Sequence, residues 1–306
     1  MATSKYINPF TDFGFKKLFG EEKNKDILID FLNTVLPEED KVYDLTYKSS
    51  EKLSAHQTDR KAIFDLYCEN EKGEKFIVEL QRAHQTFFKD RTIYYSTFPI
   101  QEQATKGQPQ GKGWKYELKA VYVISLMDFK FDISEDFHHV VELKNQRNEI
   151  FYDKLKFIYL ELPKFKKSES ELSNHFDKWI YILNRLESFT EAPKFYQEYI
   201  FKKVFEITEY TALDKEDQLR YEEDLKIFRD YLNTLDTAVA KGRKEGKEEG
   251  LKEGKEEGLK EGLKEGVKKK ALETVQNALK LGLPLEQISL LSGLTIEEIE
   301  RVKREL

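Results

Sequence analysis

The chain has 306 residues, a formal net charge of −6, 39% hydrophobic and 13% aromatic residues. That length supports one or two domains with a packed core, and the acidic balance excludes a broad basic nucleic-acid surface, so phosphate contacts must come from a local patch. No apolar run reaches the ~18 residues of a membrane span. The first ten residues lack an apolar signal core, and a single cysteine, Cys68, cannot form an internal disulfide, so a cytoplasmic setting is expected.

In chain order, 11–36 reads as helical: Phe15, Leu18, Phe19, Ile27, Leu28, Phe31, Leu32 and Val35 recur at helical spacing, and Gly20 interrupts them. Segments 41–48, 61–69 and 75–81 read as strands, and 87–105 as a helix rich in Tyr and Gln. A polar, glycine-containing loop follows at 106–113. The run Ala120-Val121-Tyr122-Val123-Ile124 within 117–126 predicts a buried strand, with another at 157–162. From Ser173 the pattern turns helical, with Trp179, Ile182, Leu183 and Leu186 on one face. A mixed α/β unit at 1–165 is therefore followed by a helical region at 166–240.

Residues 241–270 differ from both. Glycine occupies 242, 246, 250, 254, 258, 262 and 266, every fourth position, and eleven Lys/Arg and eight Glu fill most of the gaps. An interior helical glycine costs ~1 kcal/mol relative to alanine, so the simplest expectation is a solvated, partly helical linker. The alternative is a self-association seam, because glycines spaced i,i+4 allow close helix approach. In the 271–306 tail, Gly282 suits a helix end, Pro284 a helix start, and Thr295 with Glu298 a capping box. Leu285, Ile288, Leu291, Leu294, Ile296 and Ile299 supply an apolar set. A small packing or dimerisation module fits better than a groove-reading helix-turn-helix, since acidic and basic residues balance along 295–306.

Chemistry concentrates at 61–81. A three-residue loop, Glu71-Lys72-Gly73, puts glycine where a left-handed residue is wanted. In that register Asn70 pairs with Glu74 and Asp65 stands opposite Glu79, on one face with Ile63, Tyr67, Ile77 and Gln81. Phe64, Leu66, Cys68, Phe76, Val78 and Leu80 form an apolar opposite face. Two carboxylates with Cβ atoms roughly 5 Å apart repel each other, and a divalent cation relieves the repulsion. Acidic residues on a hairpin face are also often only solvated, and an even-length loop would put Glu79 on the other face from Asp65. His84 reads as a surface or capping residue, and adjacent His138 and His139 on a strand point opposite ways. No P-loop, zinc-ligand cluster or nucleophile elbow occurs.

Asp65 followed by Glu79-Leu80-Gln81 resembles the E-x-Q variant of the PD-(D/E)XK nuclease superfamily. With Thr11-Asp12-Phe13-Gly14-Phe15-Lys16-Lys17-Leu18-Phe19-Gly20, Arg91, Tyr94-Tyr95, and the 221–230 stretch before the glycine repeats, the chain is similar to the bacterial recombination-promoting nuclease and transposase family over nearly its whole length. The resemblance implies an α/β fold, a restriction-endonuclease-like mixed sheet flanked by helices, followed by an all-helical C-terminal part. It implies a hydrolase, a DNA endonuclease dependent on Mg²⁺ or Mn²⁺ and linked to recombination or mobile elements, with Asp65, Glu79 and Gln81 catalytic and Asp65, Glu79 and Asp12 as metal ligands. Gln81 takes the place of the usual lysine, and Lys61 and Lys75 have the strand parity to substitute for it. Lys61, Lys75, Arg91 and Tyr95 are candidate phosphate contacts, though Arg91 and Tyr95 equally suit helix packing. DNA is the expected partner, with no membrane and with homo-oligomerisation through the glycine repeats or the C-terminal helices. The alternative is a DNA-binding or assembly protein that kept the fold without its activity.

Overall fold

A computed structural model describes residues 4–52, 62–104, 116–131 and 133–305. The chain forms two compact units, Met1–Arg229 and Asp230–Leu306. No helix among the described residues is long and apolar enough to cross a membrane.

The first unit opens with α1 (Asp12–Phe19) and α2 (Lys25–Val35). They separate at Gly20, whose N–H donates to the Lys16 carbonyl and closes α1. Gly14 is fixed by packing: a Cβ there would lie 2.1 Å from the Asn8 carbonyl oxygen. The Thr11 hydroxyl caps α1 by accepting the Gly14 N–H at 2.9 Å. The strands are β1 (Leu45–Tyr47), β2 (Glu51–Lys52), β3 (Ala62–Ile63), β4 (Leu66–Asn70) and β5 (Lys75–Gln81). Helix α3 (Phe88–Glu102) then leads to β6 (Val121–Met127), β7 (His138–Lys144) and β8 (Ile150–Glu161).

Six strands make one sheet in the order β1-β4-β5-β6-β8-β7, and β2 pairs with β3 apart from it. Strands β5, β6 and β8 are parallel, while β1, β4 and β7 join antiparallel. The α/β fold with a mixed sheet is thus the one expected. Every residue of β6 is buried, as befits a parallel strand covered on both faces. The hairpin register is also the expected one. Cys68 pairs with Phe76 and Leu66 with Val78, the Asn70 N–H donates to the Glu74 carbonyl, and Gly73 takes φ +79°. Cys68 is fully buried, and burial pushes its thiol up to about 12.

Helix α3 covers one sheet face, where Tyr67, Ile77, Val123, Met127, Phe157 and Tyr159 pack with Phe88, Tyr95 and Phe98. Phe64 belongs to this cluster and not to the opposite face, where alternation alone assigns it. The chain bends at Asp65, so the two-residue side-chain period does not carry from β4 back to Phe64. On the other face Phe76 stacks on Tyr122 at 4.9 Å. Helices α4 (His175–Arg185) and α5 (Tyr199–Thr208) join α1 and α2 through the rings of Phe19, Phe31, Trp179 and Phe201. Strand β7 and the start of β8 lie outside the elements expected from sequence. Both are half-exposed or exposed, so no apolar run marks them.

Helix α6 (Lys215–Lys280) begins in this unit. Its first turns hold α1: Asp224 accepts the Phe13 N–H at 2.7 Å, Asp217 accepts Lys17 at 2.7 Å, and the Tyr221 hydroxyl accepts the Asn8 N–H. Residues 241–270 are helical throughout and exposed on all sides, where a partly helical linker was the simpler expectation. Lysine and glutamate are good helix formers, and no proline interrupts the run.

In the second unit, α7 (Leu285–Ser292) and α8 (Ile296–Glu305) pack on the end of α6. Ile288 and Ile299 meet Val275 and Ala278, with Leu285 and Leu294 beside them. Leu291 and Ile296 of the expected apolar set are exposed. Gly282 and Gly293 adopt left-handed φ of +71° and +73°. The Thr295 hydroxyl accepts the Glu298 N–H while Glu298 accepts the Thr295 N–H, a capping box.

Candidate active site

Strand β4 stops one residue short of Asp65, and side chains replace the missing ladder bonds. Asp65 Oδ2 accepts the Leu80 N–H at 2.7 Å. Glu79 Oε1 accepts the Asp65 N–H at 3.2 Å. Each carboxylate is thus tied to the strand that carries the other. Glu79 is only 4% exposed. Burial first, then the Asp65 charge, pushes the Glu79 carboxyl up to about 8. Burial also raises Asp65, with Asp12 adding to the rise, while the Leu80 N–H and the charges of Arg82 and Lys16 oppose it. Two apposed acids that resist ionising together are a site short of positive charge.

Gln81 is also 4% exposed. Its Nε2 donates to Glu79 Oε2 at 3.2 Å, and its Oε1 accepts from Arg91 Nη2. Arg91 Nη1 donates to Gln85 Oε1 at 2.9 Å, and the guanidinium lies 5.7 Å from the Tyr95 ring centre. Burial, then the Glu79 charge, raises the Tyr95 phenol. So Asp65, Glu79, Gln81, Arg91 and Tyr95 come together where the end of β5 meets the start of α3.

Asp12 stands at the start of α1, half exposed and paired with Lys16 at 2.8 Å. It shares with Asp65 a cleft of about 480 Å³ that Lys17, Lys48 and Arg220 also line. Among the described residues no three His, Cys, Asp or Glu side chains already form a metal cage. Two oxygen-donor carboxylates opening on a wet cleft nevertheless suit a hard divalent ion, which commonly keeps several waters and takes one or two carboxylates.

The structure does not bring Lys75 to this site. Lys75 opens β5, six residues from Gln81, and its ammonium sits on Glu69. Six rises of a strand separate the two by roughly 20 Å. Lys61 lies outside the described residues. His139 bonds Glu161 at 2.7 Å while His138 packs on Phe176, so the adjacent histidines do diverge.

Two neighbours of the site were not expected. Ser125, the register partner of Glu79 on β6, is fully buried, and its hydroxyl has no partner among the described residues. A serine inside the apolar run Val-Ile-Ser-Leu-Met was the available signal. Asp128 follows β6 directly and donates its N–H to the Gln81 carbonyl at 2.8 Å. Burial pushes its carboxyl up to about 6.

A mixed sheet flanked by helices, with paired acids at the end of a central hairpin, is a restriction-endonuclease-like fold. The sequence model of the PD-(D/E)XK nuclease family transposases matches residues 9–238, and the chain belongs to that family. Membership supports a nuclease or mobile-element role, and nucleases of this kind generally use divalent metals. No curated protein and no solved structure matches the chain.

Proposed function

We propose that this protein is a metal-dependent DNA endonuclease, a cytoplasmic hydrolase of phosphodiester bonds that acts in recombination or on mobile elements. The observation that carries the reading is the Asp65–Glu79 pair, a half-buried and a buried carboxylate fixed side by side by the backbone N–H groups of Leu80 and Asp65. Asp65 and Glu79 would hold Mg²⁺ or Mn²⁺, with Asp12 facing it across the cleft. The bound ion would supply an activated water and neutralise charge on the phosphate. Gln81, fixed by Glu79 and Arg91, orients the water or the phosphate through its amide. The Leu80 N–H keeps Asp65 pointed at the cleft.

The test is nicking of supercoiled plasmid in Mg²⁺, Mn²⁺ or EDTA. Wild type should nick only with a divalent ion, and Asp65→Asn and Glu79→Gln should each lower the rate by at least ~100-fold, the scale expected for removing a group central to catalysis. Equal rates for wild type and Asp65→Asn would reject the enzyme reading and leave a DNA-binding protein that kept the fold.

A further inference from the structure

Several lysines of this unit sit directly on a carboxylate. Lys16 sits on Asp12, Lys17 on Asp217, Lys75 on Glu69 and Lys156 on Asp40. Arg91 does not. Its two Nη atoms are held by the amide oxygens of Gln81 and Gln85, which carry no charge. Its Nε is buried and without a partner among the described residues. A guanidinium presents five N–H donors, so Nε and the remaining Nη hydrogens stay available on a cation that no carboxylate contacts directly. Leaving such a donor buried and unpaired costs free energy, and sites retain that cost where a ligand later supplies the acceptor.

The position of that charge is specific. Gln81 bridges Arg91 to Glu79, so the guanidinium lies one side chain from the carboxylate pair. Helix α3 brings it there, with Tyr95 one turn further along beside the guanidinium. A carboxylate at 81 or 85 would lock Arg91 into an ion pair. A glutamine at each fixes its geometry without a direct ion pair.

We propose that Arg91, clamped by Gln81 and Gln85, is the residue that binds the phosphoryl group at the Asp65–Glu79 centre. The oxyanion ligand is a phosphodiester oxygen, which a planar guanidinium can contact through paired N–H donors. Gln81 then acts as a neutral holder of a cation delivered from the helix, which gives a physical account of a neutral side chain at this point of β5. This proposal rests on the nuclease reading for the identity of the phosphate.

Two measurements on full-length protein test it. In single-turnover plasmid nicking with Mg²⁺, Arg91→Gln should lose ~100-fold, of the order seen when one donor to a developing charge is removed, and Arg91→Lys should keep part of the rate. Gln85→Glu gives Arg91 a carboxylate away from the metal-binding pair and should slow the reaction several-fold with the unfolding temperature unchanged or raised. In EDTA, binding of a fluorescein-labelled duplex by Arg91→Gln should weaken, and the slope of log affinity against log salt should fall by ~0.9, one phosphate contact. If Arg91→Gln nicks within threefold of wild type while Asp65→Asn is dead, the proposal is overturned and the nuclease reading stands. If Asp65→Asn nicks like wild type, the nuclease reading falls, and the salt slope alone decides whether Arg91 touches phosphate. An unchanged slope then overturns the proposal as well.

Discussion

Asp65 and Glu79 interlock across the mouth of the β4–β5 hairpin: Glu79 accepts the Asp65 N–H, and Asp65 accepts the N–H of Leu80, the residue after Glu79. The arrangement satisfies the backbone but holds two acids together in a largely buried place. Without a cation the pair retains a proton, and the measurable consequence is a dependence of stability on pH.

Glu79 has a folded-state pKa of about 8 against an ordinary 4.5. Across that window the folded, metal-free protein holds a proton that the unfolded chain releases. Stability from this group is therefore complete below 4.5 and declines as pH rises through about 8. A divalent ion that displaces the proton should bind better as pH rises. Thermal unfolding at pH 6 and pH 9, with and without Mg²⁺, checks this. Mg²⁺ should raise the unfolding temperature more at pH 9, and Glu79→Gln should remove most of the difference. A Mg²⁺ effect equal at both pH values would contradict the assignment.

Gly14→Ala should be destabilising although alanine favours helices. The added Cβ would lie 2.1 Å from the Asn8 carbonyl oxygen and 2.8 Å from Thr11 Oγ1. Both are fixed parts of the turn that caps α1, so α1 must shift and carry Asp12 with it. A cost of ~2 kcal/mol is expected from overpacking, together with slower nicking. Urea unfolding measures the first, and a midpoint at or above wild type would show that α1 is free to move.

Lys75→Ala separates proximity in sequence from proximity in space. Lys75 is six residues from Gln81, but its ammonium is spent on Glu69, which also meets Lys48 at 3.2 Å. Losing one partner of this partly exposed pair should cost ~1 kcal/mol or less. Nicking should stay within twofold of wild type. A loss comparable to Asp65→Asn would place Lys75 in the site after all.

The contrast between Lys75 and Arg91 also marks what local pattern can reveal. Strand β5 runs over the residues its apolar alternation predicts, and the glycine at 73 sets a register of which Leu66–Val78 is the last pair, next to Asp65 and Glu79. These are properties of neighbours in the chain. The link from Gln81 to Arg91 depends on how α3 crosses the sheet, and no spacing rule encodes it. The same is true of Ser125, which stands beside Glu79 in the register only because β6 lies parallel to β5. Strand β7 stayed hidden for another reason. As a sheet edge exposed along much of its length, it needs no apolar run, and its partner strand supplies its order.

The exposed glycines of α6 yield to substitution in a way that distinguishes its two readings. Outside its own stretch of helix backbone, none of the seven from Gly242 to Gly266 has a neighbour within 4 Å of where a Cβ would stand. Each replacement by alanine should therefore favour the helix by up to ~1 kcal/mol, with no clash to offset it. The double variant Gly250→Ala, Gly258→Ala should show greater ellipticity at 222 nm and a higher melting point for this segment, with nicking unchanged. Leu251, Leu259, Leu263 and Val267 each follow a glycine and are more than half exposed. If a second helix used the glycine stripe, the added methyl groups would obstruct it. The double variant would then lose oligomer in analytical ultracentrifugation while gaining helix content. A monomer–oligomer balance equal to wild type, alongside the gain in helix, identifies residues 241–270 as a solvated helical spacer.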